Sequence, residues 1–260
     1  MNNVKLLPAE ALEQARLEAF EKVLDTRLRK LQTVVLSRQQ EVDRQLYRQF
    51  EAFHWLTRRL SIRGRLPPLR GWPLSPDILL LLHEWIVERR PEVVVEFGSG
   101  ASTLVIADAL AQVGAGRLIS IEHLEPYAQQ TRVNLEREDL NGWVDLRVGE
   151  LEPWVGEHLN ERDDQKRLWY PVSLLQGVKD IDFVLVDGPP APTCEFARYP
   201  ALPAVADRLS PRATVWLDDA ARGEEKRICQ RWAERYHGAF ASMPMEKGLG
   251  VFTFGNETVT

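Results

Sequence analysis

The sequence predicts an α/β protein: an open, mostly parallel sheet with helices on both faces, preceded by a long helical extension. Three observations predict it. Val93-Val94-Val95-Glu96-Phe97 runs into Gly98-Ser99-Gly100 and then a helix-compatible segment through Ala109. That order of strand, glycine turn and helix start is how such sheets hold nucleotide-like ligands. Apolar strand candidates recur downstream, each closed by an acid. The first 60 residues, by contrast, carry no strand signal.

From Ala9 to Leu60 there is neither glycine nor proline, while Leu, Glu, Gln and Arg dominate, which reads as one or two long helices. Leu17, Leu24, Leu28, Leu31, Val35 and Val42 follow a partial heptad that Arg38 and Gln49 interrupt. Two readings stand: a coiled coil that pairs two copies, or an arm packed on its own core. Phe50, Phe53, Trp55 and Leu56 form a patch expected to dock onto the following domain. Arg63-Gly64-Arg65-Leu66-Pro67-Pro68 breaks the helix and reads as a linker. The organisation is therefore a helical extension over 1–62 and an α/β domain over 70–260.

Within that domain Val93–Phe97 is the first strand, and its glycines allow a close backbone approach to a ligand. Leu118–Ile121 is the second, ending in Glu122, 22 residues after Gly100; an acid at that spacing can accept hydrogen bonds from ribose hydroxyls. Asp145–Val148 is the third, followed by Gly149-Glu150-Leu151. Ile181–Val186 is the fourth, apolar as a strand buried on both faces should be. It ends in Asp187-Gly188-Pro189-Pro190, which can neither extend a central strand nor start an ordinary helix, so the chain must turn rigidly there. Ala213–Leu217, the fifth, ends in Asp218-Asp219. Each of these acids sits at the sheet edge where parallel α/β folds bind ligands. Each also has a plain alternative: a helix N-cap for Glu150 and Asp219, a surface acid for Glu122, a structural turn for Asp187.

The 153–180 connection exceeds a simple crossover. It holds the charged Glu161-Arg162-Asp163-Asp164, expected to be solvated, and then Trp169-Tyr170. The two aromatics could stack on a sugar or aromatic ring, and core packing is the plain alternative for Trp169. Arg222–Tyr236 is the next helix, with Phe240–Met243 and Val251–Phe254 as a closing hairpin. Of the histidines, His83 lies within a helix as a core or surface residue, and His237 just past one as a C-terminal cap.

Thr103 stands where a dinucleotide fold would place its third glycine, and Glu96 precedes the loop; both lean away from NAD. Val-Val-Glu-Phe-Gly-Ser-Gly (94–100), Val-Asp-Gly-Pro-Pro (186–190), Arg-Tyr-Pro-Ala-Leu-Pro (198–203) and Trp-Leu-Asp-Asp-Ala (216–220) resemble a bacterial branch of the class I methyltransferases. Gly-Trp-Pro-Leu-Ser-Pro (71–76) fits the same branch, so the resemblance covers roughly residues 70–255. It implies a Rossmann-like seven-stranded sheet whose last strand is antiparallel, and S-adenosylmethionine as cofactor. The cofactor-binding residues it implies are Glu96, Gly98, Ser99, Gly100, Ser102, Thr103, Glu122, His123, Glu150, Leu151 and Asp187. On the acceptor side it implies Tyr170, Pro189, Arg198, Tyr199 and Arg222, with the two arginines placed either to bind an anionic acceptor or to pair with Asp218 and Asp219. Related O-methyltransferases hold a divalent metal on equivalent acids, which here would be Asp187, Asp218 and Asp219 with Mg²⁺. Gly188-Pro189-Pro190 departs from the usual continuation of that motif. The reaction implied is methylation of a small-molecule or saccharide hydroxyl, with Asp187 as base or metal ligand. Two other classes stay open: an NAD-linked oxidoreductase or epimerase, which the lack of an obvious Tyr-x-x-x-Lys pair disfavours, and a non-catalytic partner protein that keeps the fold.

At 260 residues the chain can bury one sizeable α/β core. Its net charge of −5 gives nucleic acid no overall attraction, although Arg58, Arg59, Arg63, Arg65 and Arg70 cluster locally. The two cysteines, Cys194 and Cys229, offer neither metal-ligand spacing nor a disulfide framework. No signal peptide or membrane span is read, so the expected location is the cytoplasm.

Overall fold

The computed structural model of the chain describes residues 9–159, 166–236 and 238–254. Glu161–Asp164 and His237, singled out in the sequence, lie outside the described residues. The extension is one helix, α1 (Ala9–Arg59), of 51 residues. After an irregular segment come α2 (Pro76–Arg89), β1 (Val93–Phe97), α3 (Ala101–Val113), β2 (Arg117–Glu122), α4 (Glu125–Arg137) and β3 (Val144–Val148). The 153–180 connection holds a small antiparallel pair, β4 (Glu152–Pro153) and β5 (Leu168–Trp169). Then follow β6 (Ile181–Val186), α5 (Ala201–Val205), β7 (Leu209–Asp218), α6 (Gly223–Tyr236), β8 (Ala239–Met243) and β9 (Leu249–Thr253).

Seven strands form one sheet in the order β3-β2-β1-β6-β7-β9-β8. β1, β2, β3, β6 and β7 run parallel, and β9 runs antiparallel to both its neighbours. The strand order reverses between β1 and β6, the place where such sheets open a crevice at their C-terminal ends. The expected strands fall where the sequence put them. β7 starts four residues earlier than expected, at Leu209 rather than Ala213, because Leu209 pairs with Ile181 across an irregularity in the ladder.

Alternation along the strands assigns the two faces. Val93, Val95 and Phe97 join Ile181, Val184 and Val186 in one core layer, which Trp232 of α6 and Leu202 of α5 cover. Val94 joins Phe183, Leu185 and Trp216 in the other, covered by Ile78, Leu79, Leu82 and Ile86 of α2 and Val105 and Ile106 of α3. Trp85 of α2 lies 4.5 Å from Phe183 between ring centroids. Pro76 opens α2 at a position where a missing N–H costs nothing.

Contacts divide the chain at Arg48/Gln49, inside α1, rather than at residue 62. The reason is visible at the end of the helix: Ala52 and Leu56 are buried, and Leu56 packs with Leu74 and Ile78. The patch expected to dock is therefore smaller than the sequence implied, since Phe50, Phe53 and Trp55 are exposed. Beyond α1, Asp108 of α3 accepts the Ser61 N–H and the Gln112 side-chain amide, with the buried His83 ring 3.5 Å away. Glu138 accepts the N–H groups of Arg63 and Gly64. These bonds pin the irregular segment to the sheet domain, and Lys247 continues the job by donating to the carbonyls of Gly71 and Pro73.

Candidate functional site

The C-terminal ends of β1, β2 and β6 surround a cleft of about 480 Å³. Its floor is the glycine turn: Gly98, Ser99, Gly100 and Ser102 line it. Gly98 has φ +97°, where a side chain would be strained, and an added Cβ would come within 3.0 Å of the Asp187 carbonyl oxygen. Only glycine lets the β1 and β6 loops approach this closely. At Gly100 an added Cβ would meet nothing within 4 Å, so its absence leaves room on the cleft side.

Glu122, the last residue of β2, closes one end. Its Oε2 accepts the Ser99 N–H (3.0 Å) and hydroxyl (3.1 Å), and its Oε1 accepts the N–H groups of His123 (2.7 Å) and Leu124 (2.9 Å). The His123 ring nitrogen stands 3.0 Å from the same Oε1. Burial opposes the Glu122 charge, but the His123 ring and the three backbone donors outweigh it and hold the carboxyl below its ordinary range. The acid thus ties the glycine turn to the β2–α4 turn while lining the cleft.

Glu96 and Thr103 are in the same region but not on its surface. Glu96 is on the face of Val94, so strand alternation turns it under α3, and it is fully buried. Its Oε2 accepts from Thr103 (2.6 Å) and from Ser120 (2.7 Å), its register partner on β2. Thr103 Oγ1 in turn accepts the Gly100 N–H at 2.9 Å. Desolvation by burial pushes the Glu96 carboxyl up to about 7, with the hydroxyl bonds partly offsetting it. Glu96 and Thr103, expected to contact cofactor, are both buried beneath the loop and bonded to it rather than lining the cleft. Glu150 and Leu151 also fall away from the lining: Glu150 is exposed past the end of β3, and Leu151 packs against the core.

Asp187, Gly188, Pro190 and Tyr170 make the opposite wall. Tyr170 is nearly fully buried against Phe97 and Trp169, and burial raises its hydroxyl well above the usual range, so it stays neutral. Trp169 is core. The fourth side is α4, whose Tyr127, Gln130, Thr131 and Asn134 face the cleft. That spacing of three and four residues was a readable signal for a site-facing stripe, and the sequence reading missed it. Arg70 and Trp72 complete the mouth, with Trp72 and Tyr127 rings 5.9 Å apart, both exposed.

Behind Asp187 lies a cluster of acids. Asp187, Asp218 and Asp219 each bring one carboxylate oxygen within 4.8 Å of the others. Burial first, then the neighbouring Asp218 charge, raises the Asp187 carboxyl well above the usual carboxylate range. Arg198 is buried among them: Nη2 is 3.1 Å from Asp219 Oδ2 and 3.4 Å from Asp187 Oδ1, and Nη1 donates to the Asp218 carbonyl at 2.9 Å. Burial works against the guanidinium charge, but Asp187, Asp219 and Asp218 outweigh it and hold its pKa above the ordinary value. A guanidinium thus stands among the oxygens of the three acids to which the resemblance assigned Mg²⁺. Of the two placements expected for Arg198, the contacts are those of the pairing with Asp218 and Asp219. Arg222, half exposed, pairs with Asp219 at 2.9 Å. Tyr199, expected on the acceptor side, is fully buried in the core and its hydroxyl donates to Glu157 at 2.7 Å. Pro189 lies in the turn behind the cleft wall, its peptide bond to Gly188 cis.

Residues 95–220 match the family described as a methyltransferase domain. Similar solved structures include the SAH-bound methyltransferase PaMTH1 of Podospora anserina, 14% identical over 80% of this chain and 88% of that one, with a TM-score of 0.57. An O-methyltransferase of Bacillus cereus in complex with SAH is 17% identical over 72% of this chain and 84% of its own, with a TM-score of 0.54. TomG, an O-methyltransferase of Streptomyces achromogenes in complex with SAM, is 18% identical over 72% and 83%, with a TM-score of 0.52. No curated protein matches the chain. At these identities the structural likeness is one of fold, and the matched segment, a little under half of the chain, is similar to the methyltransferase-domain family. Among the described residues no helix is long and apolar enough to cross a membrane.

Proposed function

We propose that the chain methylates a hydroxyl of a small-molecule or saccharide acceptor. One observation carries the reading: a single cleft brings together the glycine turn, the strand-end acid Glu122 and the strand-end acid Asp187. The O-methyltransferases among the similar structures agree with an oxygen acceptor. When bound, S-adenosylmethionine supplies an electrophilic methyl group on a sulfonium, so the protein chiefly has to orient an acceptor and exclude water.

In this reading Gly98, Ser99, Gly100 and Ser102 form the bed of the cofactor and Glu122 receives its ribose hydroxyls, exchanging the Ser99 hydroxyl or the His123 ring for them. Asp187 takes the acceptor proton. Tyr170, a weak acid that burial weakens further, stays neutral and shapes the wall. Trp72 and Tyr127 at the mouth offer faces on which a sugar or aromatic ring could rest. The test is methyl transfer from labelled S-adenosylmethionine to a panel of phenolic, saccharide and carboxylate acceptors. Transfer to carboxylates with none to hydroxyls would overturn the hydroxyl reading.

We also infer that α1 pairs with a second copy of itself. Leu17, Leu24, Leu28, Leu31, Val35 and Val42 are 46–61% exposed, and they occupy the a and d positions of a heptad. A helix of this length extends about 76 Å, and isolated helices draw little stability from propensity alone. Light scattering should give twice the chain mass, and Leu24→Glu with Leu31→Glu should halve it; a monomeric wild type would refute the pairing.

A further inference from the structure

We propose that the Arg198 guanidinium is the resident cation of the Asp187–Asp218–Asp219 cluster, so that the chain holds its acids and transfers methyl groups without a divalent metal. The proposal rests on the methyl-transfer reading above. Its basis is position. Arg198 comes from the turn before α5 and is almost fully buried, at 4% exposure. It contacts every member of the cluster: the carboxylates of Asp187 and Asp219 and the main-chain carbonyl of Asp218. A fourth contact, Nε to the Pro189 carbonyl at 3.5 Å, reaches the turn that carries Asp187.

A hard divalent ion needs oxygen ligands close around it and retains several waters. The guanidinium leaves no such space, because its Nη2 already lies against the two carboxylates an ion would use. Arginine stays charged under any ordinary condition and its planar fork fixes direction as well as charge. Arg198 is therefore a positioning residue: it holds the Asp187 carboxylate from behind while the exposed edge of Asp187 faces the cleft. Arg222 adds a second cation on the solvent side of Asp219. Arg198 meets Asp218 at its main-chain carbonyl rather than at its buried carboxylate, which marks where a small cation could settle once the guanidinium was gone.

The experiment is Mn²⁺ titration, read by electron paramagnetic resonance, on the full chain and on Arg198→Met, Arg198→Lys and Asp219→Asn. Wild type and Arg198→Lys should leave the free Mn²⁺ signal unchanged through the millimolar range. Arg198→Met should bind Mn²⁺, and adding Asp219→Asn should abolish that binding. Mn²⁺ binding by wild type that disappears in Asp219→Asn would overturn the proposal, and this arm decides the matter even where Arg198→Met fails to fold. Silence from a folded Arg198→Met would overturn it too, since the cluster would then be no cation site. A purely structural arginine would not produce the gain. Calorimetric S-adenosylhomocysteine binding on the same wild-type sample separates this outcome from failure of the methyl-transfer reading.

Discussion

The two walls of the cleft are built on opposite principles. On the β1–β2 side every carboxylate has hydrogen-bond donors: Glu122 gathers three backbone N–H groups and a hydroxyl, and Glu96 takes two hydroxyls. On the β6–β7 side three aspartates crowd around one arginine, which pairs with the carboxylates of Asp187 and Asp219. The first wall is a pre-formed hydrogen-bonded bed suited to a polar ligand that must be oriented. The second concentrates charge, which is what moving a proton requires. The same motif, an acid at a strand end, serves both.

The comparison breaks most sharply at Asp187. Asp187→Asn should lower methyl transfer by about 10²–10⁴-fold, the usual contribution of a general base, while S-adenosylhomocysteine affinity stays within a few-fold. Unchanged turnover would remove Asp187 from the reaction. On the other wall the largest effect should be on stability. The folded Glu96 carboxyl lies near 7 against 4.5 unfolded, so its protonated form favours the fold. That contribution is complete below 4.5 and is lost as pH rises through 7. Over this window wild type should lose about 3 kcal/mol relative to Glu96→Gln, at roughly 1.4 kcal/mol per pKa unit. Denaturant melts of both proteins at pH 5 and pH 8 check it; parallel pH slopes would contradict the buried-acid account. The smallest effect should come at the mouth. Trp72→Ala, at a side chain 67% exposed, should change stability by less than about 0.5 kcal/mol yet raise the acceptor KM.

The strands, their order of acids and the glycine turn were legible because each depends on local signals: apolar runs, turn residues and fixed spacing. The depth of each acid was not. Glu96 and Glu122 look alike in the sequence, but Glu96 is one residue short of its strand's end and opposite Ser120, so it points beneath α3. Glu122 is the last residue of β2 and reaches the edge. Arg198 and Tyr199 stand in one motif, and neither faces the cleft, because the turn before α5 drives both inward. No spacing in the sequence predicts that turn. The α4 stripe was legible in principle, and only the site's location revealed its meaning. The dual burial of Ala52 and Leu56 likewise puts the start of the compact unit inside α1, at Gln49, whereas composition placed the linker at Arg63.

The measurement that tests the central claim most directly is calorimetric titration of the full chain with S-adenosylhomocysteine, repeated on Glu122→Ala. The account predicts micromolar binding by wild type and a loss of about 100-fold in the variant, the scale of removing charge-assisted hydrogen bonds worth 1.5–3 kcal/mol. A folded wild type that binds no S-adenosylhomocysteine, or a variant that binds it equally well, would contradict the assignment of this cleft.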